Sequence, residues 1–92
     1  MTNEPEDSSQ PRLARGCRWG GTDENPVVLF PEGAISLEGP GKQILEQCDG
    51  VRTLKDIVDR LTALYKGSDP EQIRRDVSLF LQQLQQKRIV DY

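Results

Sequence analysis

Histidine is absent from the 92-residue chain. That removes the side chain used most often as a general base at neutral pH, the usual middle member of a nucleophilic triad and the commonest metal ligand. Cysteine occurs only as Cys17 and Cys48, with 30 residues between them. This is neither a C-x-x-C pair nor a disulfide framework, so no metal site is expected and both thiols are expected to stay reduced. Aromatic residues make up 5 % and apolar residues 35 % of the chain. An average globular chain is roughly 45–50 % apolar, so the core must be lean and aliphatic. The longest unbroken apolar run, residues 27–30, is far too short to span a membrane. The opening residues MTNEPEDSSQ lack the basic start and apolar stretch of a secretory signal. A cytoplasmic protein of one domain is expected, with no membrane partner.

Basic excess is also missing. The net charge is −3, and Glu4, Glu6 and Asp7 account for all of it, because the remaining acids match the 12 Lys and Arg residues. A balanced folded part has little to neutralise phosphates with, which weighs against a nucleic-acid partner.

What is present divides into a tail, a strand-like half and a helical half. Residues 1–11 are acidic, contain Ser and Pro, and read as a disordered tail; residues 12–92 read as the folded domain. Alternation predicts a strand over residues 12–19, a loop over 20–25 and a β-branched strand over 26–30. Pro31-Glu32-Gly33 reads as a tight turn, followed by a third strand over 34–38. A short helix is predicted over 41–48, ended by Asp49-Gly50. Thr53 is the expected N-cap of a second helix, with Asp56 three residues on and Leu54, Ile57, Val58, Leu61, Leu64 and Tyr65 at helical spacing. Ser68-Asp69-Pro70-Glu71 opens a third helix, whose apolar stripe is Ile73, Val77, Phe80, Leu81 and Leu84. Residues 89–92 read as a frayed end or a short strand. The fold class is α+β: a winged-helix-like domain with a three-stranded antiparallel sheet followed by three helices.

Constellations that would carry chemistry are weak. Asp56 and Asp59 lie three apart, but beside Lys55 and Arg60 on a polar helix face. Gly39-Pro40-Gly41-Lys42-Gln43 fails the phosphate-loop pattern in spacing and in its final hydroxyl. Cys48 sits at an apolar helical position, and Cys17 lies between Arg15 and Arg18, which would lower its pKa if it were exposed. Arg74, Arg75 and the glutamines of the third helix leave a DNA-binding winged helix as one reading, with Asp69, Glu71 and Asp76 against it. The other reading is a non-catalytic peptide-binding module. An exposed third strand accepts an extended peptide by strand addition, and the third helix supplies an adjacent apolar flank. Ile73, Val77, Phe80 and Leu84 are expected to be used by the core, leaving Arg74, Ser78, Leu81 and Gln85 as groove candidates.

The run Val27-Val28-Leu29-Phe30-Pro31-Glu32-Gly33, then Leu37, Ile44-Leu45, Cys48-Asp49-Gly50, Ile57-Val58 with Leu61, Asp76-Val77, and Leu81 with Leu84, resembles the PqqD family of pyrroloquinoline quinone (PQQ) biosynthesis. Arg15-Gly16-Cys17-Arg18 is similar to that family's first strand, and the resemblance covers residues 11–91. It implies a recognition element for ribosomally made, modified peptides, with a winged-helix-like fold, no catalytic activity and no cofactor. It implies a chaperone that binds the precursor peptide PqqA and presents it to the radical S-adenosylmethionine enzyme PqqE. By position it implies peptide-binding roles for Ala34, Ile35, Ser36 and Leu37 on the third strand and for Arg74, Val77, Ser78 and Leu81 on the third helix. Leu37-Glu38 stands where many members have Leu-Asn, and Gly39-Pro40-Gly41 and the longer acidic tail also depart from the pattern. These departures leave room for a recognition domain that serves a different modified peptide.

Overall fold

The computed structural model describes residues 4–37 and 39–92. The chain enters as β1 (Arg12–Leu13), turns, and continues as β2 (Arg18–Gly21), β3 (Pro26–Phe30) and β4 (Gly33–Ser36). Three helices follow, α1 (Pro40–Glu46), α2 (Leu54–Leu64) and α3 (Pro70–Gln86), and then β5 (Val90–Asp91). β2, β3 and β4 form an antiparallel sheet in chain order, while β1 and β5 pair separately. This is the α+β, winged-helix-like arrangement expected, a three-stranded sheet followed by three helices.

The strand expected over residues 12–19 is instead two strands. Gly16 takes φ 89°, a left-handed conformation that costs glycine little, and the Cys17 N–H donates to the Ala14 carbonyl at 3.0 Å. That turn frees β1 to pair with β5, Arg12 against Asp91 and Leu13 against Val90. Residues 89–92 therefore continue as a strand rather than fraying. The loop expected over 20–25 shortens, because Gly20 and Gly21 belong to β2. Gly21, at φ 76°, faces the Asn25 carbonyl so closely that no side chain fits there. β4 ends at Ser36, and Leu37 keeps one ladder bond, its N–H donating to the Pro26 carbonyl at 3.0 Å. The last residue expected in that strand, Glu38, lies outside the described residues.

The tail also differs from its expectation. Residues 1–3 lie outside the described residues, but residues 4–11 are held against the helices. The first N–H groups of a helix have no partner within it. In α2 the Leu54 N–H donates to the Ser9 carbonyl at 2.8 Å, and the Lys55 N–H to the Asp7 carbonyl at 3.2 Å. Thr53 completes the helix start as predicted, in a reciprocal capping box with Asp56. The hydrogen bonds from Thr53 hold the Asp56 carboxyl below the usual aspartate range. Asp7 also pairs with Arg74 of α3 at 2.7 Å, and Pro5 and Pro11 are buried.

The core is aliphatic, as the composition requires. Val28 from the sheet meets Leu37, Ile44 and Leu45 from the β4–α1 region, Leu54, Ile57 and Leu61 of α2, and Val77, Leu81 and Leu84 of α3. Ile89 and Val90 close it at the far end. Both cysteines are free thiols. Cys48 lies in the core, where burial, and after it the charge of Asp49, pushes its thiol pKa to about 12. No helix among the described residues is long and apolar enough to cross a membrane.

Candidate functional site

β4 is the outer strand of its sheet, with β3 on one side and no other strand on the other among the described residues. Register decides which of its backbone groups are spoken for. Leu37 and Pro26 form a hydrogen-bonded position, and antiparallel pairs alternate between bonded and non-bonded. Ile35 opposite Val28 and Gly33 opposite Phe30 are therefore bonded pairs. The N–H and C=O groups of Ala34 and Ser36 point away from β3, toward the open edge. Their side chains are exposed, while that of Ile35 is half-buried and packs against the core.

Beyond the end of this edge, the start of α1 approaches α3. A side chain built on Gly41 would lie 3.2 Å from the Phe80 ring and 3.9 Å from Leu37. Phe80 thus lies over the N-terminal turn of α1. One helical turn or two further toward the start of α3, a groove of about 220 Å³ opens between α1 and α3. Pro40, Ile44, Tyr65, Ile73, Asp76 and Val77 line it, and its walls are mostly apolar. Tyr65 is oriented there by a hydrogen bond from its hydroxyl to the Gln43 side-chain carbonyl. Ile73 and Phe80 are only half-buried, so α3 turns a partly open apolar strip toward the β4–α1 connection.

The structure distributes the sequence-predicted residues unevenly. Ala34, Ile35 and Ser36 share the edge, and Leu37 next to them is buried in the core. On α3, Val77 and Leu81 are also core residues, Leu81 with no exposed surface at all. Leu81 was expected to line a groove and is buried instead, while Phe80 packs against the core as expected but stays half open. Ser78 is half-buried and its hydroxyl accepts from the Gln82 amide at 3.4 Å. Gln85 is half-buried too. Arg74 is exposed, but its guanidinium is occupied by Asp7. The sequence reading missed Pro40 and Tyr65 as lining residues and did not count Ile73 among them. Helical periodicity places all five stripe residues on one face; it does not say which edge of that face the neighbouring elements leave uncovered.

The family model for coenzyme PQQ synthesis protein D matches residues 26–90. The chain belongs to the PqqD family. Among relatives of this PqqD-family chain is the PqqA binding protein of Acinetobacter baylyi, 32 % identical over 80 residues, which are 85 % of this chain and 79 % of that one. The PqqA binding protein of Methylococcus capsulatus is 41 % identical over 54 residues, 59 % of this chain and 58 % of the relative. Among solved structures, the PqqD truncation of Methylobacterium extorquens PqqCD aligns with TM-score 0.77 and 31 % identity, over 95 % of this chain and 94 % of its own. That protein is described as a functional, stand-alone recognition element for ribosomally synthesised, post-translationally modified peptides. TbiB1 in complex with the TbiA(β) leader peptide has TM-score 0.78 over 87 % of this chain and 94 % of its own, and at 23 % identity it shares the fold with this PqqD-family chain.

Proposed function

We propose that this chain is a peptide chaperone of PQQ biosynthesis that binds the precursor peptide PqqA and presents it to PqqE. The observation that carries the reading is the open β4 edge, whose Ala34 and Ser36 backbone groups face outward beside the half-buried strip of α3. An extended peptide adds to such an edge through main-chain bonds, and its alternate side chains meet the adjacent apolar surface. Relatives named PqqA binding protein and a PqqD recognition element of the same fold support the choice of peptide. In this reading Ala34, Ile35 and Ser36 receive the peptide backbone, and Ile73, Phe80 and Ser78 receive its side chains. Leu37, Val77 and Leu81 hold that surface in place from beneath, and Arg74 reaches the peptide only on leaving Asp7. The protein supplies position and order; the chemistry belongs to the enzyme that receives the peptide.

The test is calorimetric titration with a synthetic PqqA-type peptide and a scrambled control, followed by amide exchange. One-to-one binding of the first peptide alone is expected. The amides of Ala34 and Ser36 should exchange freely in the unbound protein and slow on binding, while those of Ile35 and Leu37 are protected throughout. Binding without that alternation would place the peptide elsewhere. No binding to either peptide would turn the assignment toward another modified-peptide pathway.

A further inference from the structure

Four cations gather at the Gly33 end of the sheet. The turn over residues 14–17 packs on the turn between α3 and β5: the Ala14 N–H donates to the Ile89 carbonyl at 2.8 Å, and the Cys17 thiol to the Arg88 carbonyl at 3.5 Å. Arg15 and Arg18 belong to the first of these segments, Lys87 and Arg88 to the second, and all four side chains are exposed. Arg88 is held at φ 60°, the only non-glycine positive φ among the described residues. The ion pairs of the described residues join Lys42 to Glu46, Arg52 to Asp49 and Arg74 to Asp7; none of them uses this cluster. The acids nearby are Glu32, on the β3–β4 turn, and Asp91, in β5. A balanced domain that leaves four cations together without an ion-pair partner among the described residues holds a local positive field despite its net charge of −3.

The position of the cluster suggests its occupant. A side chain built on Gly16 would touch Pro31 at 3.6 Å, so the turn that carries Arg15 adjoins the β3–β4 turn, where the open edge begins. A peptide that continues along that edge past Gly33 leaves the sheet at the end where the cations lie. We propose that this cationic end receives an acidic segment of the same peptide that pairs with β4, and so sets its direction along the edge. Of the protein's own acidic tail, Asp7 is engaged at Arg74 and Glu4 lies near Tyr92. The inference rests on the strand-addition reading and adds to it a charge requirement on one flank of the peptide.

The test uses the full chain, the synthetic PqqA-type peptide, and that peptide with its Asp and Glu residues replaced by Asn and Gln. Two variants of equal charge change are compared, Arg15→Ser/Arg18→Ser in the cluster and Arg60→Ser/Lys66→Ser away from it. The cluster variant should bind the acidic peptide about tenfold more weakly at low salt, and the deficit should shrink at high salt, as expected for rim charges. It should bind the neutralised peptide as the parent protein does, and the control variant should bind both as the parent does. Equal losses in the two variants, or a loss that persists with the neutralised peptide, overturn the proposal while leaving strand addition intact. Failure of the parent protein to bind the acidic peptide would sink both readings together. Protection of Ala34 and Ser36 on binding, measured in the same samples, reports strand addition independently of charge.

Discussion

Leu81 and Phe80 are neighbours on α3 with different tasks. Leu81 has no exposed surface and touches the core from the centre of the helix, whereas Phe80 lies half open over Gly41. Truncating a fully buried leucine costs its transfer energy and leaves a cavity, typically about 2–5 kcal/mol. Leu81→Ala should therefore lower the unfolding free energy by that amount in urea titrations. Phe80→Ala should cost less stability and weaken peptide binding more, read by calorimetry on the folded variant. A reversed order, with Leu81→Ala folded and stable yet unable to bind, would return Leu81 to the groove. The stripe of apolar residues was legible as residue types; the distinction between its members was not. It depends on how far α1 covers α3, which is set by Pro40 and Gly41 in a connection whose path no local pattern dictates.

β4 is short, exposed on one side and bonded on the other, and its role in the proposed binding mode rests on which backbone groups the register leaves free. Proline lacks an N–H and is tolerated on an edge strand when that N–H would have faced solvent. Ser36→Pro removes an outward donor and no β3–β4 bond. It should weaken peptide binding at least about tenfold, on the scale of one lost main-chain bond plus local misfit, with a smaller change in urea midpoint. Unaltered affinity in that variant would remove strand addition from the account. The elements themselves were mostly readable. The Thr53–Asp56 box, the Asp69-Pro70 start of α3 and the β-branched run of β3 are local signals, and each lies where the chain placed it. The split of the first strand was not readable, because Leu13, Cys17 and Trp19 keep the alternation going across residues 12–19 and only Arg15 interrupts it. Only the pairing of β1 with β5, from opposite ends of the sequence, rewards breaking it at Gly16.

The whole molecule joins its ends to its centre. β1 pairs with β5, and residues 4–11 cross to the start of α2, where two of their carbonyls take N–H groups the helix cannot satisfy alone. Removing residues 1–7 deletes the Asp7 carbonyl bond and the Asp7–Arg74 pair and uncovers the site of Pro5. One backbone bond and one exposed ion pair together are worth about 1–2 kcal/mol, so the truncated chain should unfold at lower urea concentration. Identical midpoints would mean that the tail contacts add nothing in solution. The same truncation frees Arg74, and any gain in peptide affinity would mark Asp7 as its competitor.

Composition and local pattern by themselves determined that this chain carries no histidine chemistry, builds a lean aliphatic core and folds with a three-stranded sheet followed by three helices. Those properties depend on residue identity and on periods of two and 3.6, which short windows reveal. Tertiary structure decided the rest: which backbone groups of β4 stay open, that Phe80 stays half open while Leu81 is buried, that the tail completes α2, and that four scattered cations meet at one end of the sheet. Each of these joins residues far apart in the chain, so each is settled by packing and register, which a local pattern does not contain.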